Sequence, residues 1–205
     1  MRLRTATLLA ALVTLALAPA RAAGQIIVHQ SGVKAGLNLA TLTYGEDDGP
    51  GLDAGRRAGL AAGVFAVRYL RPRLGLQAEG LLSFKGAQYP TGTLRLTYLE
   101  SPWLLRYEFD APSLAPSVIH VVAGPAVALK LGASFKGGGV STDVGEDFRT
   151  LDLGLVVGAG IDHHGLLVDV RYTWGLANVP VDRPEEAPGV HNHSFTLLIG
   201  LRMPR

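Results

Sequence analysis

The chain contains no cysteine. That excludes the disulfide-dense scaffolds of small exported domains and leaves closure of the fold to hydrogen bonding and burial. Beyond residue 22 no stretch is apolar enough to span a bilayer as a helix, which takes about 20 apolar residues. An excess of one charge is missing as well. The 19 Lys+Arg and 17 Asp+Glu give a formal net charge of +2. Arg2, Arg4 and Arg21 lie in the N-terminal leader; without them 16 basic residues face 17 acidic ones, a net charge of −1. No nucleic-acid partner follows from that balance.

What is present begins with a leader. Arg2 and Arg4 form a basic start, residues 5–18 are uncharged and apolar, and Ala20-Arg21-Ala22 supplies small residues at cleavage spacing. Residues 1–22 therefore read as a signal peptide, with 23–205 as one domain.

The domain alternates apolar and polar residues with period two, the mark of a strand with two unlike faces. Eight such segments are expected, over 32–42, 57–70, 74–85, 94–109, 118–132, 149–161, 166–176 and 192–203. In 74–85, Leu74, Leu76, Ala78, Leu82 and Phe84 share one face against Gln77, Glu79, Ser83 and Lys85. The opening of 94–109 reads as out of phase, which predicts a bulge. Pro102 and Pro125 fall inside strands, nearly opposite each other, and predict one shared break in the ladder.

Connections run long and short in turn. Residues 44–55, 86–92, 134–148 and 177–191 read as loops; 71–73, 110–117 and 162–165 read as turns. An even strand count, short turns at one end and longer loops at the other are the plan of an eight-stranded antiparallel up-and-down transmembrane β-barrel. Phe84, Tyr98, Phe135, Phe148, Tyr172, Trp174 and Phe195 fall near the loop end, and Tyr69, Tyr107 and Phe109 near the turn end. They predict two aromatic girdles at the membrane interfaces. The alternative is a soluble periplasmic lipocalin-like barrel that binds an apolar ligand, with the leucine face lining its cavity.

In the transmembrane reading the polar faces collect Lys34, Gln77, Glu79, Lys85, Glu100, Arg106, Asp169 and Arg171 in the lumen. Glu79 is expected within a residue or two of the position opposite Glu100. Paired carboxylates suit glycoside hydrolysis, but a barrel this narrow is filled by its own side chains. Structural ion pairs of the glutamates with Arg106, Arg171 or Lys34 are the expectation, with no catalytic, cofactor or metal site. His163-His164 and His191/His193 lie at opposite ends, and His193 and Ser194 point to opposite faces, which argues against a dyad. Glu46-Asp47-Asp48 and Asp143/Glu146/Asp147 lack calcium-loop spacing, and Gly137-Gly138-Gly139 lacks the setting of a phosphate loop.

An ordered series of short motifs carries a resemblance. Gly32-Val33-Lys34-Ala35-Gly36-Leu37-Asn38, Gly63-Val64-Phe65, Leu76-Gln77-Ala78-Glu79, Tyr98-Leu99-Glu100-Ser101-Pro102, Gly124-Pro125, Leu167 to Tyr172 with Gly175-Leu176, and Gly200-Leu201-Arg202 run nearly the length of the domain. Together they resemble the PorT-like outer-membrane β-barrel proteins of Bacteroidetes-type bacteria. The resemblance implies an eight-stranded barrel in the outer membrane, in contact with the lipid bilayer and the lipopolysaccharide leaflet. It also implies handling by the outer-membrane insertion machinery and, for some members, envelope partners in secretion or gliding. Such barrels usually end on an aromatic residue; this chain departs from that with Met203-Pro204-Arg205.

Overall fold

The computed structural model describes residues 29–43, 55–110, 115–147, 149–176 and 191–204. They form nine strands: β1 (Gln30–Thr43), β2 (Gly55–Arg71), β3 (Leu74–Tyr89), β4 (Gly92–Asp110), β5 (Val118–Gly137), β6 (Val140–Asp143), β7 (Leu151–His163), β8 (Leu166–Gly175) and β9 (His191–Arg202). Eight of them close a ring, each paired antiparallel to its neighbours, with β1 joined to both β2 and β9 and β4 joined to β5. The ninth, β6, pairs with the end of β5 alone. The architecture is the all-β, eight-stranded antiparallel barrel that the alternation predicts.

Orientation of the faces settles the choice of solvent. Leu37, Leu60 and Ile199 are 57%, 59% and 55% exposed, whereas Arg106 and Asp169 are 0% and 1% exposed. Leucines on the outside and charges on the inside suit hydrocarbon around the barrel. A lipocalin-like cavity needs the reverse. Closing so small a ring also brings neighbouring backbones together where glycine stands. A Cβ on Gly63 would strike the Gly80 carbonyl and come within 2.9 Å of the Leu81 Cα.

Two expected loops are largely strand. The connection expected over 86–92 shrinks to a turn at Pro90-Thr91, and β5 runs on to Gly137 before folding back as β6. Gly138 and Gly139 have φ of 57° and 83°, the two successive positive values that a tight hairpin turn requires. By composition the glycines there make a loop; in the structure they are the hinge of a hairpin.

The bulge is present, with its extra residue on β5. Thr97 pairs with Gly132 and Tyr98 with Lys130, so Leu131 is the unmatched residue. The alternation of β4 is unbroken through it. Leu94, Leu96 and Tyr98 point inward and pack with Ala87 and Ala133 as an apolar plug near the loop end. What reads as a phase slip is a change in what fills the lumen.

The girdles are correspondingly thinner than expected. Tyr98 is buried, Phe135 packs on the plug, and Tyr69 bonds inward to Gln30 and Glu108. Phe148 lies outside the described residues. Phe84, Tyr172, Trp174 and Phe195 remain outward at the loop end, and Tyr107 and Phe109 at the turn end.

Pro102 pairs with Ala126, so Pro125 sits one residue from the position opposite it. The β4–β5 ladder skips from Pro102↔Ala126 to Leu105↔Ala123, leaving Trp103 and Leu104 out. Leu104, like Glu108, donates toward β3, where it pairs with Gln77; amide exchange should therefore be faster at Trp103, which faces β5, than at Tyr107. Uniform protection along β4 would contradict a local break.

Candidate functional site

Alternation carries one side chain in two to the lumen, and eight tilted strands bring those side chains within bonding reach. All eight residues of the predicted polar set, Lys34, Gln77, Glu79, Lys85, Glu100, Arg106, Asp169 and Arg171, are buried. They fall into two groups.

The larger group lies across the middle of the barrel. Arg171 grips Glu79 with two parallel hydrogen bonds of 2.5 and 2.8 Å and also donates to Asp169 Oδ2 at 2.8 Å. Lys34 Nζ bridges the same two carboxylates, at 3.1 Å from Glu79 and 2.5 Å from Asp169. Its ammonium also lies 4.6 Å from the centre of the Phe65 ring, a favourable seat for a cation. Gln77 donates to Glu79 at 2.5 Å and accepts from Arg106 at 3.1 Å. From there Arg106 Nε reaches Glu108 at 2.8 Å, Tyr69 donates to Glu108, and Gln30 donates to Tyr69 at 2.9 Å. A continuous chain of hydrogen bonds thus runs from mid-lumen to the turn end.

His120 completes it. Its Nε2 lies 2.7 Å from Asp169 Oδ1, a contact that makes Nε2–H the donor. Lys34, Arg106 and Arg171 then balance Glu79, Glu108 and Asp169, and a neutral imidazole leaves the group without net charge. Balanced, mutually bonded charges are the form in which ions tolerate burial. Within this group His120 Nδ1, Arg106 Nη2 and Arg171 Nε are buried without a hydrogen-bond partner.

The second group is nearer the loop end, where Lys85 Nζ lies 2.5 Å from Glu100 Oε1. Glu100 pairs in register with Leu81, two positions from Glu79. The two glutamates therefore serve separate ion pairs and do not face each other as a carboxylate dyad. Of the three cations expected to answer them, Lys34 and Arg171 meet Glu79, while Arg106 turns to Gln77 and Glu108.

Further lumen residues lie outside the predicted set: His120, Asp152, Asn192 and Ser194 are buried, as is Asn38, which shares the polar face of the first strand with Lys34. The signal for His120 was available, because its neighbours Ile119 and Val121 belong to the outward face and alternation sends it inward. The same signal was available for Asp152, which stands between the outward Leu151 and Leu153; Asn192 stands at the end of its strand, where alternation is too short to read. Among the histidines of the turns, His163 Nδ1 lies 2.8 Å from Ser117 Oγ and its ring stacks edge-on against His164. His193 Nδ1 lies 3.4 Å from Tyr172 Oη. The segment holding Glu46-Asp47-Asp48 lies outside the described residues, as does the side chain of His191.

Solved structures share the barrel. The chain is similar to Neisserial surface protein A, with a TM-score of 0.50, 15% identity, and coverage of 84% of this chain and 97% of that one. It is also similar to Ail, the attachment invasion locus protein of Yersinia pestis, with a TM-score of 0.46, 13% identity, and coverage of 86% and 100%. No curated protein matches the sequence. At these identities the likeness concerns the fold. Residues 28–180 match the family described as outer membrane protein beta-barrel domain, so the chain belongs to that family and resides in the outer membrane.

Proposed function

We propose that the chain is a non-catalytic scaffold that holds external segments at the cell surface, in association with envelope or secretion machinery, and that it stands in the PorT-like branch of its family. The observation that carries this reading is the lumen. Lys34, Glu79, Asp169 and Arg171 tie four-way across its middle, and Leu94, Leu96 and Tyr98 fill it nearer the loop end. A barrel so filled leaves its outward-facing segments to do the work, and its buried ion pairs hold the ring in one register. The ordered motifs from Gly32 through Gly200-Leu201-Arg202 support the narrower family placement. Residues 1–22 serve as the export leader and 23–205 as the single inserted domain.

Reconstitution of the purified barrel in planar bilayers tests the closed lumen. Stable conductance steps are expected to be absent from the wild type. Their regular appearance, or turnover of a lipid or glycoside by the same preparation, would contradict the scaffold reading.

A further inference from the structure

On the outer flank of the barrel, toward the loop end, a groove of about 830 Å³ is lined by Arg57, Arg95, Leu60, Phe84, Ser134 and Asp143 among others. It forms where the β2–β3 register shifts between Arg56↔Ala87 and Ala61↔Ser83. Arg57 spans that irregular stretch and donates from Nη1 to the Lys85 carbonyl at 2.5 Å. Beside it Gly86, with φ of 139°, pairs with Arg95.

The charges in the groove do not balance. Two guanidiniums share it with one carboxylate, and Asp143 Oδ1 is already held by the Gly145 amide at 2.9 Å. Arg95 is exposed and forms no ion pair among the described residues. Like charges lining one groove repel, and an anion between them removes that repulsion. Directly adjoining are Leu60 and Phe84, both outward and exposed on the lipid-facing surface. The groove thus offers guanidiniums and hydroxyls for an anionic head, and apolar wall for the chains of the same molecule.

We propose that this groove binds the phosphate-bearing head of an outer-leaflet glycolipid of the lipopolysaccharide type. Guanidiniums match phosphate oxygens two at a time, and basic pockets at a membrane boundary bind lipid head groups. A soluble sulfated polysaccharide would use the two arginines but leave Leu60 and Phe84 without a partner, which favours the lipid. The inference rests on the outer-membrane placement of the chain and is independent of the scaffold reading.

Native mass spectrometry of the full-length folded barrel, loaded with lipid A, tests it. Bisphosphorylated lipid A should be retained about tenfold better than its dephosphorylated form, and Arg95→Glu should cut that retention about tenfold. Arg71→Glu, at the turn end, should leave it unchanged. Gel mobility before and after heating verifies folding of each variant, and Arg95→Gln supplies the same comparison if the charge reversal fails to insert. Equal retention of the two lipid forms, or retention indifferent to Arg95, overturns the proposal. So does Arg95-dependent binding of heparin without Arg95-dependent binding of lipid A.

Discussion

Glu79→Gln should lower the folding free energy by about 3–5 kcal/mol, the usual consequence of removing one partner from a buried ion pair. The substitution keeps the shape of the side chain and removes its charge. Lys34 and Arg171, both buried, would then share Asp169 alone. Urea midpoints in detergent micelles, read by the shift between heat-modified and folded gel bands, measure the loss. The paired variant Glu79→Gln with Lys34→Met restores the balance of charges, and most of the lost stability should return with it. A single and a double variant of equal stability would show that the ion pairs do not hold the ring together.

The second large effect concerns the opposite face. Leu37 stands at the middle of β1, outward and flanked in register by Leu60 and Leu197. Leu37→Arg should destabilise the barrel by about 2–4 kcal/mol, the range for a cation facing lipid at the bilayer midplane. The same replacement at Val140, exposed on β6 beyond the ring, should change stability by no more than about 0.5 kcal/mol. Similar effects at both positions would mean that hydrocarbon does not surround the ring at Leu37.

The two predictions rest on what was most legible in the chain. Period-two alternation shows both faces at once, so the strand count, the ring and the eight polar lumen residues all follow from it. The partners of those residues do not. Strand tilt and stagger decide that Arg106 reaches Gln77 rather than Glu79, and neither quantity is written in a local pattern. Alternation also misleads where the lumen turns apolar. Leu94, Leu96 and Tyr98 occupy inward positions in phase with Glu100 and Arg106, yet their hydrophobicity reads as a lipid-facing face shifted by one. Glycine misleads differently. Gly138-Gly139 is a loop by composition and a hairpin turn by dihedral angle, and only the flanking Phe135 and Val140 hint at the second.

That hairpin has a further consequence. β3, β4 and β5 are 16, 19 and 20 residues long, where about 9–11 suffice to cross a bilayer at a tilt. The surplus projects beyond the membrane as paired strand, extended by β6. Whatever docks on that projection meets a surface already frozen into shape, so recognition there carries little of the ordering entropy that a slack segment would cost.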